Sequence, residues 1–496
     1  MKIALLNQLP KNFKGSLMIP LFESQKLGQS RLIKLLSPED RSYITRVASS
    51  IRWSEKEVRS VPLPSNPARY IILLGLGEKK KWQPRKLVLA TRRVVKALKD
   101  NRLKLAAVSL AEIGESVPLP DSSVLSLVVQ NLLLAELEFT AYKERPKEGW
   151  PKIEEIALVA NKITPVLKKA HREGIVLGEE INLCRQLANM PGGLLSPSKL
   201  VERARVLAKS RGFKVKVLGR QEMKRLGMGG ILAVAQGSIH PPEFLILEYG
   251  SGKKPPLVLV GKGVTFDAGG LNLKPAEAML GMNMDKSGGA AVLHAISAIA
   301  RLKLPVHIIG LIPAVENLPS GSSYKPGDLL QTITGQTIEV INTDAEGRII
   351  LADALGYAQK FKPSLIVDLA TLTGAAMMAL GQRVNALFAN QEKLYRLSEK
   401  VGEEMGDYVW PLPLWEEYEE EIKGTFGDFA NLGKTKYGGA ITGAIFLKQF
   451  VGDFPWIHVD IAPLMTTIEG QYLAKGASGT GVAFLVGMAK KIAESR

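Results

Sequence analysis

Along the first 165 positions, short apolar runs alternate with stretches whose apolar residues recur every three or four positions. Residues 70–77 are almost continuously apolar and close on Gly77, which predicts a buried strand ending in a turn. Residues 86–98 carry helical spacing, 103–110 read as a strand and 122–137 as a helix. A charged, proline-bearing break at 143–150 precedes one more strand at 153–160. Residues 166–187 then hold a long helical pattern, stopped by Asn189, Met190, Pro191, Gly192 and Gly193.

The alternation resumes on a larger scale beyond that stop. Strands are predicted at 214–218, 244–247, 257–260, 306–312, 364–369 and 457–461, and helices at 197–210, 289–300, 352–360 and 440–450. Strands and helices taken in turn predict an α/β layer structure. A chain of 496 residues exceeds one typical domain. The expected division is a smaller N-terminal α/β domain over 1–165, a connecting helix over 166–190 and a larger catalytic α/β domain over 191–496.

Composition narrows the class. Hydrophobic residues at 46% and charged residues at 23% describe an ordinary globular protein. Cys184 is the sole cysteine, so an intramolecular disulfide is excluded. Its apolar, helical surroundings make it a buried inert thiol, and such sparing cysteine use suits a reducing compartment. The early residues carry no sustained apolar core of a signal peptide, and no window approaches 18 uninterrupted apolar residues. The expectation is a cytoplasmic protein without a membrane partner.

The net charge of +17 is uneven: residues 1–170 hold 30 Lys and Arg against 16 Asp and Glu. A solvated basic surface is the simpler reading, and a DNA- or RNA-binding face on the N-terminal domain is the alternative.

The chemistry is concentrated in two glycine-bearing segments. One runs from Val260 through Lys262, Asp267 and Lys274 to Met282, Asn283, Met284, Asp285 and Lys286; the other is Asn342, Thr343, Asp344, Ala345, Glu346, Gly347, Arg348. Lys262 and Asp267 follow the predicted 257–260 strand, at the rim where open α/β sheets bind ligands. In an extended segment, Asp344 and Glu346 would point the same way. Carboxylates gathered at one rim repel one another unless cations neutralise them, so bound metal is the economical reading. The five histidines are scattered and show no ligand pairing.

Both segments resemble the leucyl aminopeptidase (cytosol aminopeptidase) family of dinuclear metallopeptidases. The likeness covers most of 180–490, including 370–374 (Ala-Thr-Leu-Thr-Gly), 410–414 (Trp-Pro-Leu-Pro-Leu) and 458–462 (His-Val-Asp-Ile-Ala). It implies a macro-like N-terminal domain and a catalytic domain built on a central mixed sheet flanked by helices. It implies two divalent ions per subunit, Mn²⁺ or Zn²⁺, with Asp267 and Glu346 bridging them, Asp344 completing one site, and Lys262 and Asp285 the other. By the same resemblance Lys274 would stabilise the oxyanion, Arg348 would hold a bicarbonate ion that shuttles protons, and 370–374 would position the peptide. Met282 would line the pocket for the first side chain. The implied activity is release of N-terminal residues, leucine and other apolar ones preferred, from peptide substrates by a homohexamer. Three positions depart from the pattern: Asn283 stands where a basic residue is common, Lys286 where methionine is usual, and Pro463-Leu464 where Gly-Thr is common. A two-metal phosphoesterase is a third reading, disfavoured by the lysine ligand and the lack of a phosphate cradle.

Overall fold

Alternate residues of the N-terminal strands enter two different cores in the computed structural model, which describes residues 1–10, 13–252 and 255–494. Met18, Phe22, Ile72 and Leu74 pack with Leu87, Val94, Val124 and Val128, whereas Leu17, Ile19, Leu21, Ile71 and Leu73 pack with Ile33, Ile44 and Trp53. This period of two makes a sheet covered on both faces, and explains why 70–77 reads as an unbroken apolar run. The six strands lie in the order Lys2–Leu6, Glu155–Val159, Leu105–Ser109, Ser16–Phe22, Asn66–Gly77, Val58–Leu63. All pairings are parallel except the last, Val58–Leu63 on Asn66–Gly77. Helix Pro84–Asp100 starts on a proline, whose missing N–H costs nothing at a first turn.

The chain forms two compact units: Met1–Glu179 with Ile468–Lys475, and Glu180–Thr467 with Gly476–Arg496. Pro165–Asn189 is a single helix shared between them. In the first unit much of the basic surface is paired, as in Lys79–Glu115, Lys99–Glu138 and Arg102–Glu148.

The second unit centres on a mixed sheet. Its path runs Val409–Pro411, Asn385–Ala389, Trp456–Asp460, Leu365–Ala370, Leu257–Gly261, Ile308–Asn317, Glu243–Tyr249, Lys214–Leu218, with Gly263–Asp267 also pairing with Ile308–Asn317. Leu257–Gly261 is central and parallel to both neighbours. Its Val258 and Val260 belong to the core that includes Ile349, Ile350 and Leu355 of helix Glu346–Ala358. Helix Ser287–Leu302 packs on the same strand, and helix Val482–Glu494 packs on that helix. Sequence reading located the central strands but not Gly263–Asp267 or Asn385–Ala389, which are five residues each. Among the described residues no helix is long and apolar enough to cross a membrane.

Candidate metal centre

Lys262 directly follows the central strand. Its N–H donates to Leu369 O at 3.0 Å and its carbonyl accepts from Gly289 N at 2.7 Å, so the backbone is held between a neighbouring strand and the start of helix Ser287–Leu302. The side chain therefore emerges at the carboxyl edge of the sheet. Asp267 ends strand Gly263–Asp267, whose register with Ile308–Asn317 shifts by one residue at Thr265. Such a bulge bends a strand and re-aims the side chains that follow it. The turn after Asp267 doubles back, with Lys274 N donating to Ala268 O at 3.0 Å. Gly269 makes this possible: its φ is +90°, and a Cβ there would lie 2.4 Å from Asn272 O.

Asp285 closes the short turn Met282–Met284. Glu346 is the first residue of helix Glu346–Ala358, so the extended geometry expected for Asp344 and Glu346 is not what brings them together. A turn does so instead: Asp344 N donates to Asn342 Oδ1 at 2.7 Å, and the helix begins two residues later. A carboxylate at a helix N-terminus also faces the positive end of the dipole.

The turn and strand ends gather four of the seven predicted residues, all carboxylates, around the ammonium groups of two others, Lys262 and Lys274. Lys262 Nζ lies 2.9 Å from Asp285 Oδ1, 2.7 Å from Glu346 Oε1 and 2.9 Å from Thr371 O. Lys274 Nζ lies 2.8 Å from Asp267 Oδ2 and 2.5 Å from Asp344 Oδ1. Asp267, Asp344 and Glu346 each offer an oxygen within 4.8 Å of the others, the spacing a shared cation needs. Arg348, on the first turn of the same helix, is buried with no hydrogen-bond partner among the described residues at Nε or Nη1. The histidines stand elsewhere; His458, for example, is buried against Asp368 with Nδ1 2.6 Å from Oδ1.

Four carboxylates thus face two ammonium groups, and the electrostatics carry the mark of that surplus. Burial, then the nearby Asp267 charge, pushes Glu346 up to about 8. Burial likewise raises Asp285 and Asp344, despite the lysines beside them. Burial alone would depress both ammonium groups, but the carboxylates more than offset it and hold both lysines above their ordinary value. Burial brings Arg348 down to about 10. Asp285 Oδ2 has no partner among the described residues, and Glu346 Oε1 and Asp344 Oδ1 lie against lysines without hydrogen-bond alignment. Oxygen donors with one amine nitrogen, an orphaned carboxylate oxygen and excess negative charge fit divalent cations.

A frame of neutral side chains holds these groups; sequence reading gave it no role except for Thr371, whose stretch 370–374 was expected to position the peptide. Asn317 Nδ2 donates to Asp267 Oδ1 at 2.8 Å and to Thr343 O at 2.9 Å. Thr371 Oγ1 donates to Asp285 Oδ1 at 2.6 Å, and Tyr324 OH to Thr343 O at 2.6 Å. Asn431 accepts from Ile341 N and donates to Asn342 O, both at 2.7 Å. The predicted strand stops at 312, whereas the observed one runs to Asn317, so no sequence signal marks this residue. Beside Lys274 opens a cavity of about 700 Å³ lined by Phe266, Leu273, Met279, Leu280 and Asn283. Met282 is half-buried next to it in sequence.

Comparison with known proteins agrees with this geometry. Residues 182–486 match the catalytic domain of the cytosol aminopeptidase family, and residues 18–146 match that family's N-terminal domain. The chain is 41% identical over 483 residues to a probable cytosol aminopeptidase of Roseiflexus castenholzii, covering 95% of each. It is 44% identical over 428 residues to another from Geobacter sulfurreducens, covering 85% of this chain and 84% of that one. Among solved structures, a tomato leucine aminopeptidase mutant superposes with a TM-score of 0.86 at 29% identity, covering 99% of this chain and 96% of that one. The bottromycin maturation enzyme BotP in complex with Mn superposes with a TM-score of 0.85 at 28% identity, covering 97% and 100%.

Proposed function

Because the chain belongs to the cytosol aminopeptidase family and is a metal-dependent aminopeptidase, we propose that it releases leucine and other apolar residues from peptide N-termini, using two divalent ions per subunit. The observation that carries this reading is the surplus of four carboxylates, three buried and Asp344 half-buried, over two ammonium groups at the carboxyl edge of the sheet.

Asp267 and Glu346 are the candidates for ligands shared between the ions, Asp344 for one site, and Lys262 with Asp285 for the other. Manganese is favoured by the Mn complex of BotP, and zinc suits the same donors. When bound, the pair supplies Lewis acidity, an acidified water and an anchor for a free α-amine, so that only chain ends are attacked. Lys262 gives up a proton to become a ligand, a change that nearby dications favour. Lys274 then faces the carbonyl oxygen as charge develops on it, an interaction stronger in the transition state than before it. Arg348, buried with free N–H groups, binds an anion such as bicarbonate that carries the water's proton, since no histidine lines the cluster. Met282 and the apolar cavity beside Lys274 favour apolar peptide side chains.

The same reading includes a cytoplasmic homohexamer. Exposed Met378, Trp410, Trp415, Phe426 and Tyr437 support burial against other copies. Sedimentation as a monomer would remove that part alone.

The test is hydrolysis of leucine p-nitroanilide by metal-free protein titrated with Mn²⁺ and Zn²⁺, beside Asp344→Ala. Metal-dependent release that disappears in the variant supports both activity and site. Hydrolysis of an N-acetylated substrate at the same rate would defeat the amine-anchoring account.

A further inference from the structure

Lys286 is one of the largest fully buried side chains in the protein, at 1% exposure. Its hydrogen-bond partners are backbone carbonyls: Met190 O at 3.0 Å, Asn283 O at short range, and Thr265 O at 3.5 Å. An ammonium has three protons, and three carbonyls take them. Burying a cation against carbonyls alone is unfavourable compared with an apolar side chain of like size. Its presence here asks for a reason beyond packing.

The three carbonyls come from three segments that meet at the candidate centre. Thr265 is the residue skipped in the register of strand Gly263–Asp267, two positions before Asp267. Asn283 lies in the turn Met282–Met284 that ends on Asp285. Met190 follows helix Pro165–Asn189. Asn283 Nδ2 reaches the same end of that helix, donating to Ala188 O at 3.3 Å and Met190 O at 3.4 Å. Met284 packs on Ala188 and Ala477 beneath. The two unusual residues flanking Asp285 therefore act on one point of the backbone.

We propose that Lys286 is a positioning residue: by gathering the carbonyls of Met190, Thr265 and Asn283, it sets the turn carrying Asp285 against the strand carrying Asp267, and so fixes the separation of the two cation sites. It touches neither substrate nor metal. The proposal rests on the two-metal reading, and its specific consequence is that neutralising Lys286 loosens metal binding without loosening the fold. Residues that hold ligands in place typically contribute about 10–100-fold in metal affinity when removed.

The experiment compares full-length wild type, Lys286→Met and Lys286→Gln by Mn²⁺ calorimetry on metal-free protein, thermal melting, and kcat/KM. Methionine and glutamine both end one atom short of Nζ; methionine loses all three donors, whereas glutamine keeps two N–H donors. The expected result is a second Mn²⁺ bound about 10–100-fold more weakly by Lys286→Met, with metal-free melting held or raised and Lys286→Gln in between. Unchanged Mn²⁺ affinities, or an affinity loss that tracks a lost melting temperature, would overturn the proposal. If Lys286→Met does not fold, Lys286→Gln decides by the same two readouts. Wild type that takes up no Mn²⁺ would instead bring down the two-metal reading, and this inference with it.

Discussion

Lys262 Nζ sits 2.7 Å from Glu346 Oε1, and both side chains are buried, with 4% and 1% exposure. The same ammonium holds Asp285 Oδ1 at 2.9 Å, so one lysine balances two carboxylates in the metal-free protein. Lys262→Met leaves both without a counterion. Removing one partner from a buried ion pair typically costs about 3–5 kcal/mol. Denaturant unfolding of the metal-free variant should show a loss of that order, partly recovered on adding Mn²⁺. Equal stability with wild type would contradict the ion-pair account.

Lys274 bridges Asp267 and Asp344 while remaining partly open, at 14% side-chain exposure. A group that acts on charge developing in the transition state changes kcat more than KM. Lys274→Met should lower kcat by about 10²–10³-fold with a small change in KM. Steady-state kinetics on leucine p-nitroanilide at saturating Mn²⁺ separates the two. A pure KM effect would make Lys274 a binding residue.

Gly347 stands so near Lys262 that a Cβ would lie 2.7 Å from both its Nζ and its Cε. Gly347→Ala must displace the lysine tip. Metal affinity and activity should fall by about tenfold or more, as when ligand-orienting groups are disturbed, with melting little changed. Calorimetry with Mn²⁺ checks this.

Arg348 keeps Nε and Nη1 free of acceptors among the described residues although buried. Activity of the wild type should drop in carbonate-depleted buffer and recover with added bicarbonate. Arg348→Ala should start lower, by about 10²-fold, and respond to neither treatment. A bicarbonate response that persists in the variant would place the anion elsewhere.

Asp353 gives a pH prediction apart from the candidate ligands. Its two oxygens accept from Ile231 N and Ile333 N, each at 2.9 Å, but burial outweighs these bonds and raises the carboxyl to about 7. A raised folded value means the folded state keeps its proton where the unfolded chain has lost it. This contribution is complete below about pH 4 and is lost as pH rises toward 7, at no more than about 1.4 kcal/mol per pH unit. Asp353→Asn should flatten that part of the stability profile and lower stability by about 1–3 kcal/mol, because an amide N–H then opposes a backbone N–H. Denaturant unfolding of the metal-free protein at pH 4 to 8 measures both.

The candidate centre was legible where one segment carries both the chemistry and the local geometry. Residues 257–260 read as a strand because their apolar run has no other satisfactory burial, and Lys262 therefore falls at its carboxyl end. Asn342–Arg348 carried carboxylates, a glycine and an arginine whose family resemblance named their roles. Its backbone was misread as extended, because a helix start at Glu346 depends on packing of Ile349 and Ile350 into the core. Asn317, Tyr324 and Asn431 were not legible as site residues. Each is a neutral group whose partner lies 19 to 90 residues away in the chain.

By itself the sequence determined the α/β class, the positions of the central strands and of several long helices though not Glu392–Met405 or Val482–Glu494, and the residue types able to bind cations. Those follow from local rules, since periodicity and side-chain chemistry are properties of neighbouring positions. Only the tertiary structure decided which carboxylate faces which lysine, that Thr265 is bulged, and that Lys286 is buried against three carbonyls. Those depend on segments far apart in the chain being packed at close to crystalline density, where a shift of one residue or one rotamer changes every partner.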